Sequence, residues 1–130
     1  MYPRPLLSAS DASRLRALIL SPRLSPLHKD RLAALLANAS VAVEEDATFD
    51  RVCLYDRVTL VSPIDSRDWL KLTIVMPEDS NPNAGRLPVT DDISRAVLGR
   101  RCGERVSWEA PPHIRRMSIA FLAKLEALVH

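Results

Sequence analysis

The apolar positions along the chain change period once, near residue 50, and that change divides the sequence into two kinds of structure. Ala12, Leu15, Leu18 and Ile19 recur at helical spacing behind Ser8 and Ser10, either of which can cap a helix that carries Asp11 in its first turn. Pro22 ends this helix, and Ser25-Pro26 restarts one, with Ser as N-cap and Pro at the first helical position. His28, Leu32, Leu35, Leu36 and Ala39 form the stripe of the second helix, about 14 residues and about 21 Å long. Two short helices joined by residues 21–25 predict an αα-hairpin. Residues 1–7, rich in proline, are expected to be extended.

Beyond a polar, acidic connector with Glu44, Glu45 and Asp46, and a loose strand or turn at 41–43, the period becomes two. Val58 and Leu60 alternate within 56–62, and Asp65-Ser66-Arg67-Asp68 reads as a hairpin turn. Residues 69–76 form the clearest strand. Leu70, Leu72, Ile74 and Met76 lie on one face, with Trp69, Lys71, Thr73 and Val75 on the other. Residues 77–83 form a loop dense in Pro, Asp and Asn.

All three glycines fall between residues 83 and 106, each where the backbone is expected to change direction. Gly85 ends a turn before the short apolar run Leu87-Pro88-Val89. Gly99 follows a short helix over 92–98, at the position of a left-handed cap. Gly103 precedes the strand Val106-Ser107-Trp108. Leu98 is read as the buried anchor of the short helix, facing Leu72 and Ile74. The last segment is ambiguous: Met117, Ile119, Phe121 and Ala123 alternate like a strand, whereas Phe121, Leu122, Leu125 and Leu128 fit a helix, which local propensity favours over 120–129.

At 130 residues the chain has room for one main domain and a modest appendage. Charged residues at 26% and hydrophobic residues at 47% are ordinary for a globular protein, and a net charge of +2 does not by itself mark a nucleic-acid carrier. No apolar run is long enough to span a membrane, and the start has no signal-peptide core, so a cytoplasmic protein is expected. Cys53 and Cys102 lack metal-ligand spacing and are read as buried or half-buried free thiols. His28, His113 and His130 are scattered, and there is no nucleophile elbow, P-loop or dinucleotide fingerprint. No catalytic residue, metal, cofactor or small-molecule substrate is therefore expected. Glu44-Glu45-Asp46 reads as a solvated linker, Arg100-Arg101 and Arg115-Arg116 as a basic patch or a solvated face, and Trp69 and Trp108 as strand-packing residues.

Ala84-Gly85-Arg86, Arg95-Ala96-Val97-Leu98-Gly99 and Gly103-Glu104-Arg105-Val106, with Asp56-Arg57-Val58-Thr59-Leu60 upstream, carry a resemblance. Over about residues 50–126 the chain resembles the C-terminal domain of the GreA/GreB transcript cleavage factors. That resemblance implies an α+β fold: an FKBP-like twisted antiparallel sheet around one short helix, with a closing strand over about 114–124. The expected layout is a truncated hairpin over 1–40, a connector over 41–49 and the family domain over 50–130.

Gre factors carry a long coiled-coil hairpin whose acidic tip helps hold a catalytic metal in RNA polymerase. Here the hairpin is short, and its turn carries Arg23 and no carboxylate. This is most similar to the Rnk subgroup, regulators of nucleoside diphosphate kinase. The resemblance then implies a non-enzymatic protein that binds RNA polymerase near its secondary channel without stimulating cleavage. Where Gre factors have a Ser-Pro docking segment, this chain has Thr90, Asp91, Asp92 and Ile93, the first candidates for partner contact, with Arg100 and Arg101 next. Asp91 and Asp92 also suit the start of the helix as caps. Contact with nucleic acid is expected to be indirect. Two other classes compete: a peptidyl-prolyl isomerase, disfavoured by the scarcity of aromatic residues, and a direct nucleic-acid binder, whose affinity would fall steeply with salt.

Overall fold

The computed structural model describes residues 4–125. A short strand β1 (Leu6–Leu7) leads into α1 (Ala9–Ile19), α2 (Pro26–Asn38) and β2 (Ser40–Val41). β1 and β2 pair in parallel, so the entry and exit of the helical hairpin are tied together. Ser8 caps α1 by accepting from the Asp11 N–H at 3.0 Å, and Ser25 caps α2 by accepting from the His28 N–H at 3.2 Å. The expected stripes face inward, with Ala12, Leu15 and Leu32 fully buried.

After a single 3-10 turn over Glu45–Thr48 come β3 (Arg57–Val61), β4 (Trp69–Val75), β5 (Arg86–Pro88), α3 (Asp92–Val97), β6 (Arg105–Ala110) and β7 (His113–Ala123). The five strands lie in the order β5-β4-β3-β7-β6. The sheet is mixed, not antiparallel throughout as expected, because β5 runs parallel to β4. Two 3-10 turns, Pro77–Asp79 and Pro82–Ala84, carry the chain back so that β5 starts beside Thr73. The rest of the sheet is antiparallel.

The ambiguous C-terminal segment is strand through Ala123. Its pairing with β3 shifts register between Thr59, opposite Phe121, and Leu60, opposite Ile119, leaving Ala120 as a one-residue bulge. A bulge changes the phase of alternation. Met117 and Ile119 point into the core, Leu122 packs against it, and Phe121 turns outward, 62% exposed. That places Phe121 on the face opposite to the one simple alternation assigns it. Leu128, the last member of the helical reading, lies outside the described residues.

One core unites hairpin and sheet. Leu15 and Leu32 join Val58, Leu60, Leu72, Ile74, Leu98, Met117 and Ile119 in a single buried cluster. Each such side chain contributes about 1.5–3 kcal/mol by leaving water. Two sequence readings fail on this sheet. Trp69, expected to pack on it, is 55% exposed, and Val75, assigned to the open face, is fully buried. Val75 lies at the end of β4, paired with Pro88 of β5. Cys102, expected to be at least half-buried, is exposed, whereas Cys53 is half-buried.

Candidate functional site

α3 is set by the turn that follows it. Leu98 (φ −58°, ψ 131°) and Gly99 (φ +82°) form a type II turn closed by the Arg100 N–H donating to the Val97 carbonyl at 3.1 Å. The Gly99 N–H donates to the Val52 carbonyl at 2.8 Å, and the Gly99 carbonyl accepts from the Leu6 N–H at 3.0 Å. A Cβ on Gly99 would lie 2.8 Å from the Pro5 Cβ. The left-handed glycine is thus where three segments meet, and Leu98 is pressed into the core beside it.

At the other end of α3, Thr90, Asp91, Asp92 and Ile93 are all half-buried, not free in solvent. Asp91 occupies the N-cap position, but its side chain makes no capping hydrogen bond, against the expectation that it caps. Burial, and then the adjacent charge of Asp92, push the Asp91 carboxyl above its usual range, while His28 and Arg95 pull it down. Asp92 lies in the first turn and accepts from Arg31 Nη1 at 3.0 Å and from Arg95 Nη2. The candidate segment is therefore bound to α2 of its own chain.

Arg100 and Arg101 belong to a second cluster, centred on Glu104. Glu104 Oε2 accepts from Arg100 Nη1 at 3.4 Å, and Oε1 accepts from the Arg101 backbone N–H at 3.3 Å. Arg51 Nη1 lies 3.9 Å from Glu104 Oε1 and donates to the Gly99 carbonyl at 3.1 Å. Asp50 completes the group, 3.8 Å from both Arg51 and Arg101. The basic dipeptide is thus a braced network rather than a bare patch. Arg115 pairs with Asp68 at 3.4 Å, while Arg116 stands without an ion pair among the described residues.

Sequence reasoning identified the carboxylates and arginines but not their partners. The Asp92–Arg95 spacing is a helical i,i+3 pair and was open to detection. Glu104 lies three and four positions from Arg101 and Arg100, and Asp50 adjoins Arg51, so these pairs are local too. Arg31 meets Asp92, Arg51 meets Glu104 and Arg101 meets Asp50 only through tertiary folding. So does Lys124, whose Nζ donates to Asp56 Oδ2 at 2.5 Å and to the Arg51 carbonyl at 2.7 Å. Asp56 also accepts from the Cys53 and Leu125 N–H groups, which ties the end of β7 to the start of the sheet domain.

Comparison with known proteins agrees with this architecture. Residues 46–121 match the family model described as transcription elongation factor, GreA/GreB, C-term. The chain is 26% identical over 80 residues to transcription elongation factor GreA of Chlorobium phaeovibrioides, covering 62% of this chain and 50% of that protein. It thus spans about half the length of the GreA proteins it matches. To the regulator of nucleoside diphosphate kinase of Escherichia coli K12 it is 28% identical over 110 residues, 84% of this chain and 80% of that protein. A solved structure, the prokaryotic transcription elongation factor GreA/GreB from Nitrosomonas europaea, superposes with a TM-score of 0.74 at 26% identity. That match covers 94% of this chain and 99% of the other.

Proposed function

The chain belongs to the GreA/GreB transcription elongation factor family, and from that membership we propose a regulator of transcription elongation that binds RNA polymerase near its secondary channel without stimulating transcript cleavage. The reading follows the Rnk pattern. It takes the protein to be a non-enzymatic factor of the cytoplasm, acting without cofactor, metal or small-molecule substrate.

The observation that carries it is the hairpin. α1 has 11 residues and α2 has 13, so the longer arm reaches about 20 Å at 1.5 Å per residue. The turn between them presents Pro22 and Arg23 and no carboxylate. A hairpin that brings a cation and no carboxylate to its tip lacks the charged oxygen ligands that hold a catalytic Mg²⁺. The two helices serve their own domain instead, burying Leu15 and Leu32 against the sheet.

Within this reading, Thr90, Asp91, Asp92 and Ile93 form the partner surface, with Arg100 and Arg101 flanking it. The test is a pull-down with purified core RNA polymerase, with a Gre factor as competitor. Retention that the competitor displaces supports the assignment. Retention indifferent to the competitor moves the site away from the channel, and no retention refutes the reading.

A further inference from the structure

Four arginines from four segments border one cavity. Arg95 of α3, Arg100 of the turn after it, Arg105 of β6 and Arg116 of β7 line a space of about 440 Å³, together with Ser107. Pro63 and Ala96 also border it, and the core residues Val106 and Met117 back it. Among the described residues no carboxylate lines it. Arg95 and Arg100 are each held from outside the cavity, Arg95 by Asp92 and Arg100 by Glu104. Arg105 and Arg116 have no ion pair among the described residues.

Gathering like charges around a shared space is unfavourable unless an anion occupies it. The strand register makes the gathering systematic: Arg105 lies opposite Ser118 and Arg116 opposite Ser107, so the two arginines are diagonal neighbours across β6 and β7. Guanidinium forks match phosphate oxygens in pairs, and the volume is that of a small-molecule site. Val106 and Met117 point into the core, on the face of the β6–β7 ladder opposite Arg105 and Arg116, so they offer no surface to a base and recognition rests on the phosphates.

We propose that this cavity binds a polyphosphate anion, free or as the phosphate chain of a nucleotide, on Arg95, Arg100, Arg105 and Arg116. The site shares Arg100 with the flank of the proposed polymerase-docking surface, and a titration without polymerase tests it apart from that reading.

Calorimetric titration of the purified full chain with ATP, ADP, AMP, GTP, adenosine and inorganic tripolyphosphate tests it. Affinity is expected to fall in the order triphosphate, diphosphate, monophosphate. ATP and GTP should bind alike, and adenosine should not bind. Arg105→Gln and Arg116→Gln should each weaken ATP about tenfold or more, the loss of one charge-assisted contact. Both leave every ion pair seen in the fold intact, so an unchanged melting temperature is expected; Arg57→Gln, away from the cavity, is the control. Absence of ATP binding at millimolar concentration, equal affinity for AMP and ATP, or unchanged affinity in both cavity variants overturns the proposal. Tripolyphosphate is expected to bind at least as tightly as ATP, and its failure to bind where ATP binds overturns a site built on phosphate contacts. A single-stranded RNA oligomer that binds more tightly than ATP and is lost in Arg105→Gln reassigns the arginines to a nucleic-acid backbone.

Discussion

Arg31 Nη1 donates to Asp92 Oδ1 across 3.0 Å, fastening the second helix of the hairpin to the first turn of α3. Both side chains are about 40% exposed, so solvent screens the pair. A double-mutant cycle with Arg31→Ala and Asp92→Asn is expected to give a coupling of about 0.2–1 kcal/mol. The consequence for binding is larger than that for stability. If Asp92 serves a basic partner surface, Arg31 competes with that surface for the same carboxylate. Arg31→Ala should then tighten polymerase binding, and the double variant Asp91→Asn, Asp92→Asn should weaken it and flatten its salt dependence. Unchanged affinity in both folded variants would move the interface away from Thr90–Ile93.

Leu98 and Gly99 test how α3 is seated. Leu98 is fully buried in the shared core, so Leu98→Ala should cost about 2–5 kcal/mol in chemical denaturation. Gly99→Ala adds a left-handed alanine and a contact with Pro5 too close to keep, and should cost about 2–5 kcal/mol as well. Gly103 has φ +91° but open space where a Cβ would go, so Gly103→Ala should cost only the backbone strain, about 1–2 kcal/mol. Equal losses at the two glycines would mean that the approach of Pro5 to Gly99 is not what fixes the turn.

Ser94 offers a change in the opposite direction. It is fully buried in α3, and its hydroxyl has no hydrogen-bond partner. Ser94→Ala removes an unsatisfied polar group and improves helix propensity, so it should stabilise the fold by about 1 kcal/mol. A loss of stability on thermal melting would show that the hydroxyl is satisfied in solution.

Much of this fold was legible because its signals are local. Ser8 and Ser25 cap the helices they precede, Gly85, Gly99 and Gly103 sit at positive φ, and Leu72, Ile74 and Leu98 reach the core. The failures have physical causes that no local pattern carries. A one-residue bulge at Ala120 inverts the facing of Phe121, and a return of the chain through 77–84 makes β5 parallel. The candidate site was harder to read for the same reason. Arg31 and Asp92 are 61 positions apart, and Arg105 and Arg116 become neighbours only through the register of β6 and β7.

The short hairpin gives a direct functional expectation. With Arg23 in its turn and no carboxylate there, the protein should not raise cleavage of backtracked transcripts above the intrinsic rate of the polymerase. Stalled elongation complexes, followed by release of short RNA products, provide the measurement. Added cleavage would require carboxylates from elsewhere, and Asp91→Asn with Asp92→Asn would show whether these supply them.

Asp11 sets an expected pH dependence. It is 5% exposed, and burial raises its carboxyl pKa above the ordinary 3.8, against the opposing pull of the Leu54 N–H, which donates to it at 3.0 Å, and of Arg14. A raised carboxyl means that the folded chain holds more protons than the unfolded chain between 3.8 and the higher folded value. Stability therefore falls, through this group, as pH rises across that window. Asp91 contributes with the same sign. Asp11→Asn keeps an oxygen to accept from Leu54 and removes the titration. Its stability relative to the native chain should be lowest below the window, rise through it and level off above the folded value. Denaturant unfolding of both proteins at a series of pH values measures this difference. A difference that stays flat with pH would mean that Asp11 titrates alike in the folded and unfolded chains. A difference that falls with rising pH would mean that the Leu54 contact and Arg14 outweigh the burial of the charge.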